Sequence, residues 1–148
     1  MTAKKAASES GETRDFLEAF LPILKKTKEI SIFRLPERLY AGNRDMTLEN
    51  LKPLPQTTKL SESQKEFIVS RLSNKSSYLF EYLKAMRFYA DYGVIFQGVG
   101  VPPNVLLISV DFRGARLVLE EPFSARDAIV NLDPVFAELL EQLKKSFQ

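Results

Sequence analysis

The chain has 148 residues and contains no histidine and no cysteine. Those two absences remove most of the ways in which a protein does chemistry. Without cysteine there is no disulfide, no thiolate nucleophile and no thiolate metal ligand. Without histidine there is no Ser-His-Asp triad, no imidazole acid or base, and no imidazole ligand for a transition metal. Carboxylate pairs, serine with lysine, or tyrosine are left for catalysis, and carboxylates alone could hold a hard cation such as magnesium. Serine and lysine are common, but no Ser-x-x-Lys motif stands in a suitable frame. No apolar run approaches the roughly 18 residues of a membrane-spanning helix. The first residues, Met1 to Gly11, have a basic start with no apolar segment behind it, unlike a secretory signal. A cytoplasmic protein is therefore expected if Met1 is the native start.

Glycine is scarce as well, at six residues. The pair Gly98-Val-Gly100 lacks both the third glycine of a dinucleotide-binding turn and the Gly-Lys-Ser/Thr of a P-loop, and no helix start follows it. It reads as a hairpin loop stiffened by Pro102-Pro103. No cofactor constellation and no metal site is expected.

What is present is the composition of an ordinary globular protein, 45% hydrophobic and 27% charged. By length the chain is one domain, over 12–148, behind a polar tail at 1–11 expected to be disordered. Net charge is +2. Residues 34–75 hold eight basic and five acidic groups, an excess of three, too small a bias for a typical nucleic-acid binder.

Phe16, Leu17, Phe20, Leu21 and Leu24 recur at helical spacing, predicting a helix over 13–27 that Pro22 kinks or divides. Glu29–Leu35 alternates as a strand, with Ile30 and Ile32 on one side and Phe33 and Leu35 on the other, and Pro36 is expected to end it. Residues 36–60 form a long connection with a helical turn near Thr47–Leu51. Such connections are often functional, although a cover over one end of the core is the simpler reading. Ser61-Glu-Ser-Gln64 is a capping box and opens a helix over 62–72. Tyr78–Tyr89 fits helical spacing slightly better than extended structure.

The densest apolar stretch, Tyr92–Glu120, predicts strands at 93–97, 105–112 and 116–120. A two-residue turn at Arg113-Gly114 would set Phe112 opposite Ala115, Asp111 opposite Arg116 and Ile108 opposite Leu119. Asp133-Pro134 predicts the start of a last helix over 134–146 with Phe136, Leu139, Leu140, Leu143 and Phe147 as its apolar stripe. The fold class expected is α+β: an antiparallel sheet of about four strands packed against N-terminal, central and C-terminal helices.

Asp111 is the weak catalytic candidate, because a carboxylate inside an apolar strand could be a buried acid with a raised pKa. A structural pair with Arg116 explains the position more simply. Asp91, Glu120 and Glu121 could supply further oxygens, but neighbouring strand residues face opposite ways and a solvated face is the plainer reading. Arg87-Phe88-Tyr89 with Tyr92, Phe96, Arg113, Arg116 and Arg126 could form a platform for single-stranded nucleic acid, although no module signature accompanies them.

Two segments, Lys84–Gly98 with its Met-Arg-Phe-Tyr-Ala-Asp-Tyr core and Val110–Leu119, resemble small uncharacterised bacterial domains. In those domains a Cys-x-Phe-x-Pro-Asp-Tyr segment leads into a strand, and a Cys-Phe-x-Cys strand and closing helix follow. The resemblance covers residues 60–148. Met86, Asp111 and Gly114 stand where three cysteines would, and Ala90 where the proline would, so no thiol or metal role carries over. It implies a helix, an antiparallel sheet and a closing helix, with Tyr78–Phe88 more extended than periodicity suggests, and it brings no activity.

Together these features favour a non-enzymatic protein-interaction or binding module whose partner is another protein or a second copy. The alternatives are a carboxylate-dependent enzyme or cation site at Asp111 with Asp91 or Glu120, and weak nucleic-acid binding through 34–75. A buried, unpartnered Asp111 opening on a pocket would favour the enzyme.

Overall fold

The stretch from Tyr92 to Leu119 is apolar on successive residues because its strands are covered on both faces. In the computed structural model, which describes residues 2–42, 46–79, 86–99, 102–120 and 129–147, with side chains from Arg14 onward, the chain is α+β. Helix α1 (Thr2–Lys26) leads to β1 (Glu29–Tyr40) and β2 (Thr57–Lys59), then α2 (Glu62–Ser73). Strands β3 (Tyr89–Gln97), β4 (Asn104–Ser109), β5 (Gly114–Val118) and β6 (Ile129–Asn131) precede α3 (Phe136–Ser146). Among the described residues, six strands pair antiparallel in the order β2-β1-β3-β4-β5-β6.

The four strands expected are all present. The two further ones, β2 and β6, are three-residue edges, too short to carry a periodic signal. No described helix is long and apolar enough to cross a membrane.

One sheet face, with Ile32, Val94, Phe96, Leu106, Ile108 and Leu117, receives the helices through Phe16, Phe20, Ile68, Leu72, Phe136 and Leu139. The other face, with Phe33, Ile95, Val105, Leu107 and Val118, is covered by Ala41, Met46, Leu51 and Phe88. The long connection is therefore the second layer of the fold, and its Leu48–Leu51 turn forms where one was expected.

α2 opens on its capping box: Ser61 Oγ accepts from the Gln64 N–H at 3.3 Å, and Gln64 Oε1 accepts from the Ser61 N–H at 3.0 Å. α1 runs through Pro22 undivided, with that proline on its exposed side. Residues 2–11 belong to α1, and their three alanines and two lysines are good helix formers. The segment 78–89 lies partly outside the described residues, as does Gly98–Gly100.

Three expectations need correction. Pro36 does not end β1, which continues to Tyr40 through a bulge. Asp133 does not cap α3. The helix starts at Phe136, while Asp133 accepts from Arg113 Nε at 3.0 Å and gives its own N–H to Asn131 Oδ1 at 2.9 Å. The β4–β5 turn takes four residues, Val110 to Arg113, so Ile108 faces Ala115 and Leu106 faces Leu117. The Ser109 carbonyl accepts from the Arg113 N–H at 3.0 Å, and Arg113 itself takes the left-handed φ of 57°. This shift moves each partner by an even number of residues. The inward set stays inward, but Asp111 no longer meets Arg116.

Tyr78 closes the helical layer. Its ring lies 5.9 Å from Phe16, and its buried hydroxyl donates to the Leu72 carbonyl at 2.5 Å. Burial pushes the phenol above its ordinary value, so the folded state holds it protonated. Its contribution is complete below the unfolded pKa of about 10 and is lost as pH rises beyond that. Tyr78→Phe is expected to cost about 1–2 kcal/mol at neutral pH. The variant should also lose less stability than wild type between pH 8 and 11 (~3 units spanning the tyrosine range), as urea unfolding at the two ends would measure.

Candidate functional site

Opposite Asp91 the two central strands fall out of step. Arg34 pairs with Tyr92 and Leu39 with Ala90, so residues 35–38 stand against a single residue of β3. Pro36 has no N–H to give a ladder, which is where a strand tolerates such a bulge, and bulges re-aim the side chains they carry. Here the re-aimed side chain is Arg38. Its Nε lies 3.1 Å from Asp91 Oδ1, its Nη2 lies 2.8 Å from Asp111 Oδ2, and its guanidinium sits 5.3 Å from the centre of the Tyr89 ring. Asp91 Oδ2 accepts from the Val110 N–H at 2.8 Å, which ties the bulge to the β4–β5 turn. Tyr40 packs on Tyr89 with ring centres 5.5 Å apart.

Withdrawal from water lowers the Arg38 pKa, but the hydrogen bond and charge of Asp111 and the charge of Asp91 outweigh it. The net shift is upward. Around it the surface is partly apolar: Tyr40 is 41% exposed and Val110 36%.

Asp111 is thus an exposed residue in an ion pair, its side chain 59% accessible. It lines none of the described clefts. Asp91 does join it, through Arg38, whereas Glu120 lies beyond Val118 at the other end of the β4–β5 hairpin. Glu121 and Arg126 lie outside the described residues. No group of three or more carboxylates able to hold a metal occurs among the described residues. The Arg38 cation lies between the two aspartates.

Arg116 is fully buried instead of facing Asp111, and its Nη1 donates to the Ala41 carbonyl at 2.6 Å. Desolvation lowers its pKa, only partly offset by Tyr40. The aromatic platform is dispersed: Tyr92 and Phe96 belong to the helix-covered face, Phe88 to the opposite one. The cations of 34–75 are dispersed too, with Lys52 on Glu49, Lys59 on Glu29, Lys65 on Glu62 and Arg71 on Glu138.

Beside the bulge lies a cleft of about 460 Å³. β2 pairs with β1 only from Ser31 to Phe33. Upstream of β2 the chain holds Pro53 and Pro55, which cannot donate to a ladder, and a wedge opens between residues 35–39 and 50–55. Phe33, Leu35, Leu39, Leu51 and Leu54 make its apolar wall, and Glu37, Arg38 and Lys52 its charged one. A second cleft, of about 290 Å³, lies on the other side of Leu51 and is lined by Leu48, Ile95, Pro103 and Glu120.

Sequence reasoning singled out Asp111 and Asp91 but missed Arg38, which joins them. The alternation of Leu39 and Tyr40 beyond Pro36 was the one available signal that β1 continues. No protein-family model, no curated protein and no solved structure matches this chain.

Proposed function

We propose that the protein is a non-enzymatic interaction module whose contact surface is centred on Arg38, Tyr40 and Tyr89. The observation that carries this reading is the clustering of an arginine, two tyrosines and the exposed Val110 around the β1 bulge. Tyrosine and arginine are among the residues in which interface centres are enriched, and truncating such anchors costs about 2 kcal/mol or more of binding. Two carboxylates direct the Arg38 guanidinium, which reduces the side-chain freedom to be lost on binding.

The test is a photo-crosslinking residue at position 40, with one at Glu141 on the exposed side of α3 as control, in a lysate of the source cells. A discrete adduct formed from position 40, absent from position 141 and lost when Arg38→Ala is added, is the expected result. Identical adducts from both positions, or none from position 40, would overturn the reading.

A further inference from the structure

The wedge between β1 and residues 50–55 has the shape, edge chemistry and charge of a receptor for one kind of chain. Resting on the interaction reading above, we infer that it takes an extended segment of a protein partner in which cationic residues flank an aliphatic one. Shape comes first. Among the described residues no strand pairs with the outer edge of β1 beyond Phe33, so that edge runs along the wedge with backbone groups available to an extended peptide. Pro36 removes one donor from it, which limits the added segment to a short one.

The apolar wall comes second. Leu35 and Leu39 are half-buried and Leu54 is 41% exposed, and the three line the same cleft. The occupant needs an aliphatic side chain there.

Charge selects the flanking residues. Lys52 is already on Glu49 at 3.4 Å, and Arg38 is already on Asp91 and Asp111. Glu37 has no ion pair among the described residues and is exposed on the wedge rim. Both cations that line the wedge are thus met by carboxylates outside it, and Glu37 is the lining charge left without an ion pair among the described residues. A nucleic-acid strand or acidic peptide would be repelled, and a basic one drawn in.

Two labelled pentapeptides test this by fluorescence anisotropy: acetyl-Lys-Leu-Val-Leu-Lys-amide, and the same peptide with glutamate for lysine. Wild type should bind the basic probe about tenfold more tightly than the acidic one. Glu37→Lys, at an exposed position, should reverse that preference, and Leu54→Ser should weaken the basic probe by about tenfold. Equal binding of the two probes, no binding of the basic probe, or a preference unchanged in Glu37→Lys would overturn the inference. So would a dimer in solution broken by Glu37→Lys, which would assign the wedge to a second copy. A specific crosslink from position 40 to a partner segment without cations would overturn this inference while leaving the interaction reading intact.

Discussion

Phe20→Ala is expected to lower the unfolding free energy by about 3–5 kcal/mol, the largest loss from any single truncation considered. Phe20 is wholly buried where α1 meets the sheet. Its ring stands edge-on to Phe96 at 5.3 Å and lies 5.2 Å from Phe16, so its removal leaves a void walled by two rings that cannot collapse independently. For a domain with a total of about 5–15 kcal/mol, that is a substantial part of its stability. Urea unfolding should show a lower midpoint at unchanged slope. A loss under about 1 kcal/mol would mean that α1 is not seated on the sheet as described.

Gly114→Ala comes next, with an expected cost of about 3 kcal/mol. The reason is not the turn beside it. A methyl group at Gly114 would drive into the Val130 carbonyl oxygen and stand against the Phe112 ring, and a backbone oxygen in a paired strand cannot step aside. The left-handed conformation of the hairpin falls instead on Arg113. Arg113→Gly should therefore be nearly neutral. Relief of about 1 kcal/mol of backbone strain is offset by the loss of the exposed pair with Asp133 and of the ring contact with Phe136. Thermal unfolding of the two variants side by side checks the assignment, and a tolerated Gly114→Ala with a damaging Arg113→Gly would reverse it.

These two neighbours show where sequence reading reaches and where it stops. Arg-Gly does mark a turn, and the apolar runs on each side do form strands. Which of the two residues takes the unusual backbone angle depends on β6 lying against Gly114, a contact with residues sixteen positions later in the chain. Ser61 and Gln64 were legible because a capping box is complete within four residues. Ile30, Ile32 and Phe33 were assigned to the correct faces because a period of two needs only neighbours. Pro36 misled because a proline is read as a stop unless a bulge is there to absorb it, and the bulge exists only opposite Asp91. The candidate site was half visible for the same reason. A carboxylate in an apolar context stands out at Asp111, but its partner Arg38 lies far upstream, and only the pairing of β1 with β3 brings it near.

The sheet ends on each side in a strand of three residues. Long, flat and unpaired margins are the templates on which chains of this class stack into insoluble fibrils, and natural proteins shorten, charge or break them. Here β2 carries Lys59 and follows Pro55, while the longer margin on β1 is interrupted by Pro36 and by the bulge. The proline at the bulge thus also limits how far a copy of the chain could extend the sheet along this margin.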